Sequence, residues 1–433
     1  MKTMIRMEVK DFQKALKALG AVVPTKSALP ILQSVMLSYD EQGSTFMLQA
    51  SDSENWLQID CVGAEKDGER QPWAILIEND RKDPFRSVAI RYDKLSQAIQ
   101  ALPAALTIFV WVESKGDQLQ LRVDYQTGEF CLPCEVAETF PEAPAVALPE
   151  QPATGSNVTP VCSLKVDGKW LLPRMQSARA ATLTGSGAEL RPVMSCECID
   201  VDQEGVTIAA SDGHQLYKDR LELGLGSGFL QMFARSDSGA PLMRTQLLVP
   251  QKAVQIAVKT FAPQGDIAIV ADTQKLSMAV EGVRMTSTTL DAKFPNYESV
   301  IPKEQPHVLV VDAKHLQTVL QRIKLFTDEA SELIRLTRQD QHLVISGEDV
   351  ANAFSAEERV EIQNAADTTL PDRFAIGVKQ STLREMISCV ETDNILMKFR
   401  DPQSPITIYE EDQKSQLVIL VMPMLLNPQA AQV

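Results

Sequence analysis

Six times along its length this chain repeats one pattern: a short amphipathic stretch that opens on a lysine, then a run in which apolar and polar residues alternate. The stretches begin at Lys10 (KDFQKALKAL), Lys94 (KLSQAIQAL), Lys165 (KVDGKWLLPRMQSARA), Lys252 (KAVQIAVKTF), Lys314 (KHLQTVLQRIK) and Lys379 (KQSTLREMISCV). Phe12, Leu16 and Leu19 recur at helical spacing, as do Leu95, Ile99 and Leu102, or Leu383, Met386, Ile387 and Val390. Such spacing predicts helices with one apolar face. Pro173 falls inside the third stretch, so that helix should kink or start late. The alternating runs, such as ILQSVMLSYDEQGSTFMLQASD, MSCECIDVDQEGVTIAASDG and LIRLTRQDQHLVISGED, read as hairpins around polar turns. An internal repeat constrains the fold more than any isolated motif does.

Taken in pairs, the six units predict an α+β chain of three tandem similar domains, each with two helices packed on antiparallel sheet. The boundaries fall at 1–145, 158–302 and 306–426, with 427–433 left as a C-terminal tail. A Pro/Ala-rich linker, PEAPAVALPEQPATGSNVTP (141–160), and a shorter one, IPKEQPHV (301–308), separate them. A length of 433 residues suits this division, at roughly 100–200 residues per domain. The stretches 65–87 and 223–246 read as surface insertions whose structure the pattern does not assign.

Several function classes lack support. No apolar run reaches the ~18 residues of a membrane span. The start, MKTMIRMEVKDF, has no apolar signal core, so the expected location is the cytoplasm. The seven cysteines are scattered; Cys131/Cys134 and Cys196/Cys198 lie close together without a second pair at zinc-like spacing, and the four histidines are isolated. Reduced thiols, no metal and no cofactor are the expectation. An enzyme reading would rest on Asp212 and His214 of SDGH. No GxSxG elbow or HExxH helix accompanies them, and no GxxxxGK[ST] loop is present.

The net charge of −15 argues against a nucleic-acid partner until the charges are located. The six helical stretches together carry about +12, which leaves the remainder near −27. Lys10, Lys14 and Lys17 lie on the face of the first stretch opposite Phe12 and Leu16. One lysine-bearing helix face is ordinarily just a solvated one. Six of them, all net positive in an acidic chain, point to a basic lining that meets phosphates without reading sequence.

The motifs SALPILQSVML (27–37), LQASDSE (48–54), IAASDGHQL (208–216), AKFPNYESVIP (292–302) and LVMPMLL (420–426) resemble, in order and spacing, the bacterial DNA polymerase III beta subunit family. The resemblance covers nearly the whole chain. It implies the DNA clamp fold and a head-to-tail homodimeric ring, with helices lining the hole. Such a ring is a non-catalytic processivity factor that encircles double-stranded DNA, near the nucleoid, and tethers polymerases. Its partners would be polymerase and clamp-loader subunits that dock through short linear peptides.

Carried over position by position, the resemblance implies three sites. A partner-peptide pocket would comprise Met194, Ser211, Gly213, His214, Gln215, Leu216, Pro295, Val300, Leu420, Val421, Met422, Pro423 and Met424. Methionine and leucine suit an adaptable apolar groove, and a small serine and glycine let a peptide backbone approach. The DNA-facing set includes Lys26, Arg191 and Lys293 at basic family positions. Around them the helix residues Lys14, Lys17, Lys94, Lys169, Lys252, Lys259, Arg322, Lys324 and Arg384 are added. Phe130 and Leu132, on an edge strand, would meet Leu325 and Phe326 of a second copy. Closing a ring is a reason to keep an apolar edge.

The chain departs from the family at Gln215, where GHQL replaces the usual GHRL. It also reads MPMLL where an arginine commonly precedes the last leucine, and NPQAAQV follows Leu426. The alternative to a DNA tether is therefore a divergent clamp paralogue, a partner-binding scaffold without efficient loading on DNA.

Overall fold

The computed structural model describes residues 2–40, 45–66, 69–79, 87–116, 118–146, 162–202, 204–223, 230–232, 244–263, 265–272, 274–363, 368–412 and 415–426. In six places a strand passes directly into a helix. Lys2–Glu8 enters α1 (Val9–Leu19), Val88–Arg91 enters α2 (Tyr92–Gln100), and Cys162–Asp167 enters α3 (Gly168–Ala178). After the short α4 (Gly187–Leu190), Arg244–Pro250 enters α5 (Gln251–Thr260), His307–Asp312 enters α6 (Ala313–Ile323), and Ala375–Lys379 enters α7 (Gln380–Ile387). All six expected helices are present. The third opens at Gly168, Lys165 belonging to the strand before it; Pro173 lies inside this helix, five residues past its start, so the proline does not set where it begins.

The helices bury most of the stripe their spacing foretold; Leu102 and Val390 fall past the ends of α2 and α7 and are half-buried. In α1, Val9, Phe12, Ala15, Leu16 and Leu19 are buried, while Lys10, Lys14 and Lys17 stay in solvent. Truncating any such leucine to alanine costs about 2–5 kcal/mol. Polar ties fix the helix pairs. Gln13 Nε2 donates to the carbonyls of Ile99 and Leu102, both at 2.9 Å, so α1 holds the end of α2. Gln380 Nε2, fully buried, donates to the Leu320 carbonyl at 2.6 Å and ties α7 to α6.

The chain packs as two compact units. The first comprises Met1–Leu172, Phe229–Leu242 and Lys252–Thr289; the second comprises Pro173–Gly228, Met243–Gln251 and Leu290–Val433. A 14-stranded antiparallel sheet runs through the first and a 12-stranded one through the second. Each sheet joins strands from neighbouring repeats. In the first unit Asn55–Asp60 pairs with Val283–Thr288, with Leu57 opposite Met285. In the second, Gln215–Glu222 pairs with Val418–Val421, with Leu216 opposite Leu420.

The stretches read as insertions contain strands that the pattern had not assigned. Val62–Lys66 and Glu69–Pro72 form a small two-stranded sheet, and Ala74–Asn79 extends the large sheet by pairing with Lys2–Glu8. Leu230–Met232 pairs with the start of Cys162–Asp167. The rest of 223–246 up to residue 243, the second half of the 141–160 linker and the tail 427–433 lie outside the described residues.

The repeat reaches down to single hydrogen bonds. After the strand that ends at Ser51, Asp52 Oδ1 accepts the amides of Glu54 and Asn55, at 3.0 and 2.6 Å. Asp212 does the same for His214 and Gln215, at 2.8 and 2.9 Å. Asp349 accepts the Asn352 amide at 3.1 Å and its side-chain amide at 2.8 Å. An aspartate whose carboxylate mimics a backbone carbonyl is a local way to close a hairpin, and this chain uses it at Asp52, Asp212 and Asp349.

Candidate functional site

The thirteen positions assigned to a peptide pocket all belong to the second unit. Its centre is the SDGH turn between the Gly205–Ser211 and Gln215–Glu222 strands. Gly213 sits at φ 94, where a side chain would be strained. Ser211 Oγ accepts the Gly213 amide at 3.2 Å and donates to the Gln215 carbonyl at 2.7 Å. Both Asp212 oxygens are engaged within the turn, one by two amides and the other by Gln215 Nε2 at 3.2 Å. They are spent on structure, so Asp212 does not stand as a base beside His214.

The turn is joined to the C-terminal segment. The Met422 amide donates to the His214 carbonyl at 2.8 Å, which continues the ladder begun by Leu216 and Leu420. Those two leucines lie in an apolar cluster with Cys196, Cys198, Ala209, Leu248, Phe294 and Tyr297, with Val193, Leu290 and Ile301 packed against it. Met422 is 40% and Val300 54% exposed, so two apolar side chains of the assigned set stand unburied. Met194 Cε lies beside Gly213, and Pro295 is exposed on the loop between Phe294 and Val300. Pro423 and Met424 follow, half-buried. Such a surface suits an apolar peptide anchor.

Two positions face the other way. Gln215 and Val421 are cross-strand partners, one residue out of step with Leu216 and Leu420, and so point to the opposite side of the sheet. Gln215 is buried and its Nε2 reaches the Ala180 carbonyl at 3.0 Å. The glutamine supports the turn from behind.

All twelve basic candidates are exposed. Lys14 and Lys17 lie on α1, Lys94 on α2, Lys169 on α3, Lys252 and Lys259 on α5, Arg322 on α6 and Arg384 on α7. Arg384 borders a polar cleft of about 350 Å³ between α6 and α7. Three carry ion pairs: Lys252 with Asp52, Lys324 with Glu332 at 3.8 Å, and Arg322 with Glu358, where Nε bonds one oxygen at 2.8 Å. Arg191 Nη1 lies 4.0 Å from Met194 Sδ. Lys26 and Lys293 are on loops.

Phe130 and Leu132 are half-buried on the Gly128–Val136 strand. That strand pairs along its length with Gln118–Tyr125, but with Val88–Arg91 only through Cys134–Val136. The segment bearing Phe130 and Leu132 therefore has one neighbour among the described residues. Leu325 and Phe326, after α6 in the second unit, are 75% and 37% exposed.

All seven cysteines are free. Burial pushes the Cys196 thiol up to about 11, which keeps it protonated and unreactive. Among the described residues no group of three or more His, Cys, Asp or Glu side chains is placed to hold a metal ion, and no helix is long and apolar enough to cross a membrane.

The family model described as DNA polymerase III beta subunit, C-terminal domain, matches residues 298–425. The beta sliding clamp of Synechococcus elongatus is 23% identical over 425 residues, covering 96% of this chain and 98% of that protein. That of Pseudomonas aeruginosa is 23% identical over 414 residues, covering 95% and 97%. The family model thus matches the C-terminal part of the chain, and the curated beta sliding clamps align with it over nearly their whole length. Solved clamps share the fold. The structure from Bacillus subtilis has a TM-score of 0.80 at 16% identity, covering 99% of this chain and all of that one. The griselimycin-bound clamp from Pseudomonas aeruginosa has a TM-score of 0.77 at 21% identity, covering 98% and 100%.

Three residues around the groove escaped a reading guided by clamp motifs. Asp200, 2% exposed, accepts from Arg244 Nε at 2.7 Å, Gln246 Nε2 at 3.0 Å and the Tyr297 hydroxyl at 2.9 Å. The available signal was an acidic residue on the inward phase of CECIDVD, and an arginine paired to it. Tyr297 lies within AKFPNYESVIP, where nothing local marks its bond to Asp200. Gly377, which meets the C-terminal segment, carries no local signal because the contact is set by the path of a distant strand.

Proposed function

We propose that this chain is a DNA sliding clamp: a processivity factor, without catalysis of its own, that encircles duplex DNA as a homodimer and tethers polymerases to it. The observation that supports the reading is the junction of the SDGH turn with the C-terminal segment, where the Met422 amide bonds the His214 carbonyl and Met422 and Val300 stay exposed. Polymerase and clamp-loader subunits dock there through short linear peptides. The repeat then counts as three domains, 1–145, 158–302 and 306–426. Exposed lysines and arginines on its helices supply phosphate contacts blind to sequence and screened by salt, which permits sliding. Phe130 and Leu132 meet the partner subunit's Leu325 and Phe326 to close the ring. Peptide docking raises the local concentration of polymerase at the primer end.

Retention tests this reading. With a clamp loader and ATP, the protein should stay on nicked circular plasmid through gel filtration and be lost after the plasmid is cut. Retention indifferent to cutting would overturn the topological tether. Capture by a docking peptide without any retention on circles would assign the chain to the scaffold reading.

A further inference from the structure

We propose that Gly377 is a positioning residue of the peptide groove: it holds the C-terminal segment against the edge of the Ala375–Lys379 strand, and so fixes where Met422 and Met424 stand. This rests on the groove reading above and names a residue that reading does not contain.

The C-terminal segment has two anchors with proline between them. On one side the Met422 amide bonds the His214 carbonyl at 2.8 Å; on the other the Met424 amide bonds the Gly377 carbonyl at 2.7 Å, and the two residues form an isolated antiparallel bridge. Pro423 has no amide to donate. The anchors therefore sit on alternate residues, and the segment leaves one strand's ladder for the edge of another. Ala375–Lys379 ends the order of strands in the second sheet, so its outer edge is open to this contact among the described residues.

A glycine is needed there for space. A methyl on Gly377 would lie 2.6 Å from the Met424 carbonyl oxygen and 2.8 Å from Leu426 Cδ2. The first is backbone and cannot swing aside. Gly377 is not among the glycines at positive φ, so close approach is what the position demands. The inner side of the strand is paired, Gly377 lying opposite Arg335, so a substitution pushes outward on the segment. Met422 is joined to Met424 through one rigid residue. Lifting the second anchor frees both side chains to leave the rim.

The test uses the full-length protein and a short fluorescein-labelled peptide ending in leucine and phenylalanine. Gly377→Ala should weaken peptide binding roughly tenfold, chiefly through faster dissociation, as loss of preorganisation does. Dimer mass and thermal midpoint should stay near wild type. Amide hydrogen exchange supplies a readout independent of the peptide: protection at Met424 should fall in Gly377→Ala, while protection at Leu420 is kept. Leu426→Ala, which leaves the strand edge untouched, should give a smaller loss of affinity. Unchanged Met424 protection or unchanged peptide affinity in Gly377→Ala overturns the positioning role. If wild type itself ignores the peptide, or Met422→Ala binds it as tightly as wild type, the groove reading fails instead, and this proposal with it.

Discussion

The Tyr297 hydroxyl donates to the buried carboxylate of Asp200 across 2.9 Å, and so ties the loop that carries Pro295 and Val300 to the strand beneath it. Burial and the adjacent Asp200 both push the tyrosine hydroxyl well above its ordinary range, so it stays a donor at any physiological pH. Arg244 and Gln246 fill the remaining acceptor sites of the same carboxylate. Tyr297→Phe removes one charge-assisted hydrogen bond and keeps the ring in its cluster with Phe294. The expected cost is about 1–3 kcal/mol in urea denaturation. Peptide affinity should fall as well if Val300 lines the proposed groove. A variant with wild-type stability would show that the bond contributes nothing.

Met422, in the C-terminal segment, is 40% exposed. A side chain this exposed stabilises the fold little, so Met422→Ala should leave the thermal midpoint nearly unchanged. An anchor that packs on it would lose apolar contact worth about 1–2 kcal/mol, five- to thirtyfold in affinity. Isothermal titration with a docking peptide and sedimentation of the free protein separate the two effects. Dissociation of the dimer, with peptide binding intact, would place the site elsewhere.

Glu197 lies fully buried on the Cys196–Asp202 strand, and neither carboxylate oxygen has a hydrogen-bond partner. Burial pushes its carboxyl well above the usual range, opposed only in part by Arg179. The folded protein therefore holds this proton more tightly than the unfolded chain does. The resulting stability is complete below the unfolded value, near 4.5, and is lost as pH rises toward the folded one. Wild type should lose stability between about pH 5 and pH 8 by an amount that Glu197→Gln does not share, on the order of 1–3 kcal/mol. Urea titrations of both proteins at both pH values measure it; parallel losses would mean the carboxyl is solvated or paired.

The helices and hairpins were legible because each rests on a local signal: Leu16 and Leu19 one turn apart, Asp212 two residues before the amide it binds. The pairing beneath the proposed groove carries no local signal, since Leu216 and Leu420 are brought opposite each other by strands far apart in sequence. Gln215 shows the limit of motif transfer. Its position matches the pocket, but strand alternation turns it inward to Ala180. The added strand Ala74–Asn79 went unassigned because its alternation is broken and its partner, Lys2–Glu8, is far away in sequence.

Arg322 has its guanidinium on Glu358, whose carboxyl is held below the usual range by that bond against the opposing effect of burial. A cation so engaged is a poor phosphate ligand. Glu358→Gln should free it and add up to one phosphate contact, which would steepen the salt dependence of direct DNA binding by about 0.9 in log–log slope. Lys14→Gln, at a site with no acidic partner among the described residues, should make the slope shallower by a similar amount. Anisotropy of a labelled duplex over a salt series reads both. A slope unmoved by either change would take α1 and α6 out of the DNA-facing set.

Leu325 exposes 75% of its surface beside Phe326, at 37%, while the segment with Phe130 and Leu132 lacks a strand on one side. Single exposed apolar side chains are ordinary; the proposed ring closure would bury these two adjacent ones against the open strand edge of a second copy. Leu325→Asp places a charge where the second copy would bury it, at a cost above about 2 kcal/mol, or more than tenfold in dimer affinity. Leu190 is as exposed, at 84%, and stands at the end of α4 away from both segments in sequence. Leu190→Asp therefore serves as the control for adding a charge to an exposed leucine. Sedimentation velocity across a dilution series should show Leu325→Asp dissociating at concentrations where wild type and Leu190→Asp remain dimers. Equal behaviour of the two variants would remove Leu325 from the interface and leave the open edge beside Phe130 without its proposed partner.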